Sequence, residues 1–170
     1  MSGMATKETL RVDFLCVENA GRSQMAAAFA EREASERGLE DVVEVHSAGT
    51  RPADEVHESV VEAMDEVGID ISDREPKWVV VEDLEHSHFV ITMGCTINEF
   101  HPSTYGVEHR EWGLRDPEGE DFETVREIRD ELERRVTELF DEIEDVARDL
   151  ETKRSLSERV TETIKNALSF

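Results

Sequence analysis

Cysteine is scarce in this 170-residue chain, with Cys16 and Cys95 the two present. Two thiols cannot build a disulfide scaffold, so a packed core must hold the fold, and a reducing cytoplasm is the expected location. Lysine is nearly as rare, occurring at Lys7, Lys77, Lys153 and Lys165. The 19 basic residues face 42 acidic ones, for a formal net charge of -23. That balance disfavours nucleic acid as a partner, because phosphate backbones require clustered positive charge. An acidic surface poor in lysine stays hydrated at high salt, which reads as adaptation to a salt-rich cytoplasm; the rival reading is a surface made for a basic partner. No apolar run approaches the roughly 18 residues of a membrane helix. The opening MSGMATKETL also lacks the apolar stretch of a signal peptide, so neither membrane insertion nor export is expected. Without repeats or low-complexity tracts, the length suits a single domain with one core.

What is present is an alternation of apolar strands and amphipathic helices. Leu10 to Val17 (LRVDFLCV) reads as a buried first strand, and Ser23 to Arg37 as a helix carrying an alanine run and stopped by Gly38. Val42 to Ser47 reads as a second strand. Val56, Val60, Met64 and Val67 mark a helix ended by Gly68. A short helix over Val79 to His86 precedes the continuous apolar run Phe89 to Met93, and Val107 to Trp112 reads as a shorter fourth strand. From Asp121 to Leu150 apolar residues recur at steps of three or four, and Leu156, Val160, Ile164 and Leu168 mark a further amphipathic helix. The pattern predicts an α/β fold: an open four-stranded parallel sheet with helices on both faces, plus an extra C-terminal helix. The expected organisation is an N-terminal extension at 1–9, a catalytic α/β domain at 10–150 and a C-terminal amphipathic helix at 151–170. In such sheets ligands sit at the carboxyl ends of the strands.

The segment CVENAGR lies at one of those ends. Cys16 and Arg22 bracket it, with a strand before and a helix after. A thiol attacks only as thiolate, and the helix dipole, inward loop amides and Arg22 all favour that form. Arg22 offers a planar fork of donors suited to two oxygens of a phosphate or arsenate. Ser23 can donate to the sulfur, Asn19 can pin the loop, and Gly21 allows unusual backbone angles that turn successive N–H groups inward. Val17, Glu18 and Ala20 complete the loop. The alternative is a buried structural cysteine.

Asp116-Pro117 supplies an acid on a stiffened loop, placed to protonate a leaving oxygen. Cys95 follows the FVITM run, so it would share a rim with Cys16. It reads either as a redox partner that attacks a Cys16 adduct or as a small apolar residue at a strand end. His86 and His88 have no adjacent ligand pattern, so no metal is expected. Trp78 and Trp112 read as packing residues.

These motifs resemble the low-molecular-weight protein-tyrosine phosphatase superfamily, and within it the arsenate reductase branch. The likeness rests on CVENAGRSQMAAAF (16–29), HSAGT (46–50), EVGIDIS (66–72), FVITMGC (89–95) and WGLRDPEG (112–119), over roughly residues 10 to 145. It implies Cys16 as nucleophile, Arg22 as oxyanion clamp, Asp116 as acid, and Asn19, Ser23 and Ser47 as loop supports. Cys95 falls where thioredoxin-linked reductases keep a second redox cysteine. Their third cysteine is missing here, where the chain reads TINEFHPS, so a relay of three protein thiols is impossible. Gly21 stands where many relatives have Cys, and the CVxNAGRSQMA loop is similar to reductases that use a low-molecular-weight thiol. No bound cofactor is implied, but an external thiol reductant is: a low-molecular-weight thiol or a thioredoxin- or glutaredoxin-like protein. Tyrosine phosphatases of the superfamily wall their substrate ring with aromatics after the Asp-Pro pair and after the second strand. Here those segments read DPEGED and SAGTRPADE, which suits a small inorganic anion. The resemblance thus implies reduction of arsenate to arsenite. A phosphatase acting through a phosphocysteine is the second reading and a non-catalytic oxyanion-binding module the third.

Overall fold

A computed structural model describes residues 9–168. The expected N-terminal extension, apart from Thr9, lies outside the described residues, as do Ser169 and Phe170. The strands are β1 (Leu10–Cys16), β2 (Val43–Gly49), β3 (Phe89–Thr92) and β4 (Glu108–Glu111). The helices are α1 (Arg22–Glu36), α2 (Glu58–Asp65), α3 (Val81–Leu84) and α4 (Phe122–Leu168), with a 3-10 turn at Pro102–Tyr105. The four strands form one parallel sheet in the order β2-β1-β3-β4. After β1 the chain moves to one side of it for β2 and then to the other for β3. The carboxyl end of β1 is therefore the switch point where parallel sheets open a crevice, and Cys16 is its last residue.

β1 is covered on both faces but apolar on one; on the other, Arg11 and Asp13 share the face with Leu15 and pair with each other (2.9 Å). Leu10, Val12, Phe14 and Cys16 join the main core with Met25, Phe29, Leu132, Val136 and Phe140 of α1 and α4. Leu15 faces a smaller cluster with Leu84, Val90, Phe100 and Val107. Across the first face Arg32 reaches Glu133 (2.7 Å), and Arg37 reaches Asp141 (2.9 Å) and Glu144 (3.2 Å), tying α1 to α4 at its solvent edge. Trp112 is buried, its ring 6.1 Å from that of Phe14. Trp78 departs from the packing expected of it and is 69% exposed. Its backbone forms a single bridge to Gly49 at the end of β2, and that bridge turns the indole outward.

The C-terminal amphipathic helix is present and is continuous with α4, a helix of 47 residues. No glycine or proline follows Gly119, so nothing in the sequence terminates it. Burial ends with Ala147, and the turns from Glu151 onward stand clear of the domain. No helix among the described residues is long and apolar enough to cross a membrane.

Candidate active site

The loop between β1 and α1 is shaped by where its carbonyls go. Thr50, Arg51, Ala53 and His57 donate their amides to the carbonyls of Cys16 (3.2 Å), Val17 (2.7 Å), Glu18 (3.0 Å) and Ala20 (3.0 Å). Gln24 Nε2 donates to the Asn19 carbonyl (3.1 Å), and the Met25 amide to that of Gly21 (3.0 Å). Every carbonyl from 16 to 21 is thus drawn outward, which leaves the loop amides to converge on the space beside Cys16, an anion-binding nest. The Asn19 amide donates to Cys16 Sγ (3.3 Å). The brace at 50–57 was not foreseen from sequence, because nothing in RPADEVH marks it as the partner of a loop 30 residues away.

Asn19 is the hub. It is fully buried, with φ of +52°. The left-handed residue of the loop is therefore Asn19 and not Gly21, whose φ is −141°. Asparagine tolerates that region better than most side chains. Gly21 is required for space, since a Cβ there would lie 2.7 Å from Pro117 Cγ. The Asp116-Pro117 loop therefore closes directly onto the loop from Cys16 to Arg22. Gly49 plays the matching role beneath, where a Cβ would lie 2.5 Å from the Val17 carbonyl oxygen.

The Lys77 backbone N–H donates to Asn19 Oδ1 (2.9 Å), and a backbone N–H can only donate. This fixes the Asn19 amide so that Nδ2 donates to Ser23 Oγ (2.7 Å). Ser23 Oγ in turn lies 2.9 Å from Cys16 Sγ, within hydrogen-bond reach. Lys77, Asn19, Ser23 and Cys16 thus form one continuous run of hydrogen bonds that ends on the sulfur. Gln24, buried and bonded also to Asn19 Oδ1 (3.1 Å), is a further support within the CVENAGRSQ string. Ser47 is buried beside Gln24 at a cavity of about 350 Å³ and makes no side-chain hydrogen bond to the loop.

Arg22 is buried at the start of α1. Its Nη1 donates to the Leu114 carbonyl (2.9 Å), and Nη2 lies 3.6 Å from Asp116 Oδ2. Gly94, with φ of +74°, lies under the guanidinium, where a Cβ would be 2.7 Å from Nη1. Asp116 is exposed and accepts from the Glu118 amide through Oδ1 (3.0 Å). The fold therefore brings Asp116 from a distant segment to the carboxyl-end rim that holds Cys16 and Arg22. Cys95 belongs to the same rim. Its thiol is buried and pushed up to about 11, by burial first and then by the neighbouring Cys16, with Arg22 partly offsetting. It also lines a cavity of about 220 Å³ with Thr92, Ile97, Phe100 and His109.

Glu18, His57 and Glu118 bring three possible ligand atoms within 4.8 Å of one another at the loop's edge, a grouping the sequence does not signal. Glu18 Oε1 lies 3.5 Å from His57 Nε2. The Glu18 carboxyl is held above its ordinary range by burial, then by the hydrogen bond and charge of Glu118, with His57 opposing.

Residues 11–152 match the family described as low molecular weight phosphotyrosine protein phosphatase. A Halobacterium salinarum protein provisionally named an arsenate reductase is 52% identical over 139 residues, covering 82% of this chain and 96% of that one. Among solved structures, a thioredoxin-dependent arsenate reductase of Corynebacterium glutamicum superposes with a TM-score of 0.68 at 39% identity, over 84% of this chain and 66% of that one. An arsenate reductase in a phosphate-binding state superposes at 0.66 and 31% identity, over 79% of this chain and 99% of that one.

Proposed function

This chain belongs to the low molecular weight phosphotyrosine protein phosphatase family, and from that membership and the geometry of the cradle we infer that it is an arsenate reductase. The observation that carries the choice within the family is the second thiol. Cys95 follows β3 at the same rim as Cys16 and Arg22, and it offers the second thiol that reduction of arsenate requires and hydrolysis of a phosphoester does not.

Arsenate enters as an anion and is held by the loop amides and the Arg22 fork. The Cys16 thiolate attacks arsenic, forming a sulfur–arsenic bond, and an oxygen leaves as water after taking a proton from Asp116. The proximity of Asp116 to Arg22 supports its placement at the same anion. A second thiolate then attacks the Cys16 sulfur. The sulfur–arsenic pair of electrons passes to arsenic, which leaves as arsenite, and a disulfide forms between the two sulfurs. With Cys95 as the second thiol, the product is a Cys16–Cys95 disulfide that an external thiol must reduce. With an external thiol acting directly, a mixed disulfide forms on Cys16. Burial holds Cys95 in the thiol form, so it must give up its proton before it attacks. A low-molecular-weight thiol or a thioredoxin- or glutaredoxin-like protein fills the external role, and the thioredoxin dependence of the Corynebacterium relative supports the latter.

The test uses the full chain in high salt. It is incubated with arsenate or p-nitrophenyl phosphate, with and without dithiothreitol. Thiol-dependent arsenite release that disappears in Cys16→Ser is the expected result. Aryl phosphate turnover without arsenite would assign the chain to phosphatase chemistry. In a single turnover without added thiol, arsenite release that Cys95→Ser abolishes identifies Cys95 as the resolving thiol; release unaffected by that change removes the role from it.

A further inference from the structure

Three segments that build the oxyanion cradle also bring together three side chains that the thiol chemistry does not use. Glu18 belongs to the Cys16–Arg22 loop, His57 immediately precedes α2, and Glu118 follows the Asp116-Pro117 pair. One carboxylate oxygen from each glutamate and one ring nitrogen of His57 all lie within 4.8 Å of one another. The backbone at these positions is anchored by the site itself. The Glu18 carbonyl takes the Ala53 amide (3.0 Å), the His57 amide holds the Ala20 carbonyl (3.0 Å), and Pro117 and the His57 ring both lie against Gly21. The three side chains thus meet on a framework that the fold already fixes, as a preorganised ligand set requires.

The cluster lacks the partners that other glutamates of this molecule have. Glu33, Glu66, Glu142 and Glu144 each pair with arginine. Among the described residues no lysine or arginine pairs with Glu18 or Glu118. Glu18 Oε1 is itself cut off from solvent and accepts no hydrogen bond, although His57 Nε2 lies 3.5 Å away. A buried anionic oxygen without a donor is costly, and a second carboxylate beside it raises that cost. A cation between them removes both.

We propose that Glu18, His57 and Glu118 bind one divalent transition-metal ion. Nitrogen and oxygen donors at about 2.0–2.2 Å from an ion stand up to about 4.4 Å apart, so a spread within 4.8 Å closes with small side-chain rotations. One imidazole with two carboxylates suits metals of the manganese-to-zinc series, whereas magnesium and calcium favour sites made of oxygen alone. The ion joins the Cys16–Arg22 loop, the start of α2 and the Asp116-Pro117 loop. It therefore clamps together the two loops that meet at Gly21. The site stands whether the cradle reduces arsenate or hydrolyses a phosphoester.

Manganese(II) is the probe, because zinc would also seek the Cys16 thiolate. The full chain is titrated in about 2 M KCl, where a screening length below roughly 3 Å frees ions held loosely by the acidic surface. Electron paramagnetic resonance should count one Mn²⁺ per chain and detect a coupled imidazole nitrogen. Excess Zn²⁺ should displace the ion, and Mg²⁺ at the same concentration should not. His57→Gln should remove the nitrogen coupling. Glu118→Gln, at an exposed position, should weaken binding at least roughly tenfold, and Cys16→Ser should leave it unchanged. The thermal midpoint of the parent should rise with Mn²⁺, and that of His57→Gln should not. No saturable site in high salt, a nitrogen coupling that survives His57→Gln, or binding lost in Cys16→Ser overturns the proposal. A midpoint that follows pH but ignores Mn²⁺ also overturns it and gives the cluster to a shared proton.

Discussion

At the scale of single residues, the site depends on positions with no reactive group. Gly94 has φ of +74° and sits beneath Arg22 Nη1. Gly94→Ala strains the backbone and drives a methyl into the guanidinium, which must leave the Leu114 carbonyl and shift. A displacement near 1 Å costs on the order of 100-fold in rate at a positioned catalytic group. Arsenate kcat/KM should therefore fall by about that factor, with the folded state intact by circular dichroism; an activity within about twofold of the parent would show that Arg22 is not fixed by this contact. Cys16, Asn19, Arg22 and Ser23 were legible as one string because they are contiguous and strand-to-loop-to-helix is a local pattern. Gly21 takes the unusual backbone angles expected of it (φ −141°, ψ −93°), whereas the left-handed turn at Asn19 was not foreseen. Gly49, Gly94 and His57 were invisible as supports, because each acts through a contact with a distant segment.

At the scale of elements, α2 is anchored to α4 by a carboxylate. Glu66, just past the end of α2, accepts from Arg126 Nη2 (2.6 Å) and Arg129 Nη1 (2.8 Å), and Arg129 also donates to the Ala63 carbonyl (2.8 Å). Hydrogen bonds from Arg126 and then Arg129 hold the Glu66 carboxyl down to about 2. A carboxyl depressed on folding stabilises above its unfolded value of 4.5, and that contribution is lost as pH falls from there toward 2. Glu66→Gln should therefore lower the melting temperature slightly at pH 7, with the gap to the parent closing between about pH 4.5 and 2. Thermal unfolding of both proteins across that range checks it, and a constant offset would point to lost packing rather than lost charge. The consequence reaches the site because His57, at the start of α2, holds the Ala20 carbonyl. The strands and helices were readable to within a few residues from periodicity. The continuity of α4 was missed, since a separate C-terminal helix was expected after Leu150 although no glycine or proline follows Gly119.

At the scale of the whole molecule, the net charge of −23 opposes compaction, while arginine–carboxylate pairs across α1, α2 and α4 favour it. Salt weakens both, and self-repulsion is the larger because unpaired carboxylates outnumber pairs. Raising KCl from about 0.1 M to 2 M should raise the melting temperature by ~5–10 °C, followed by tryptophan fluorescence. A fall with salt would mean that the ion pairs dominate.

The chain by itself determined its fold class, the strand-end position of Cys16, and the lack of aromatics in the stretches that follow the Asp-Pro pair and the second strand. Each of these is a matter of periodicity or of neighbours along the backbone. Tertiary structure alone decided that the amides of 50–57 brace the loop carbonyls, that the Lys77 N–H orients the Asn19 side chain, and that Gly94 lies beneath the Arg22 guanidinium. Those outcomes rest on hydrogen bonds and close approaches between segments 30 to 90 residues apart. Which distant groups meet is set by how the sheet and helices pack, and no local pattern carries that information.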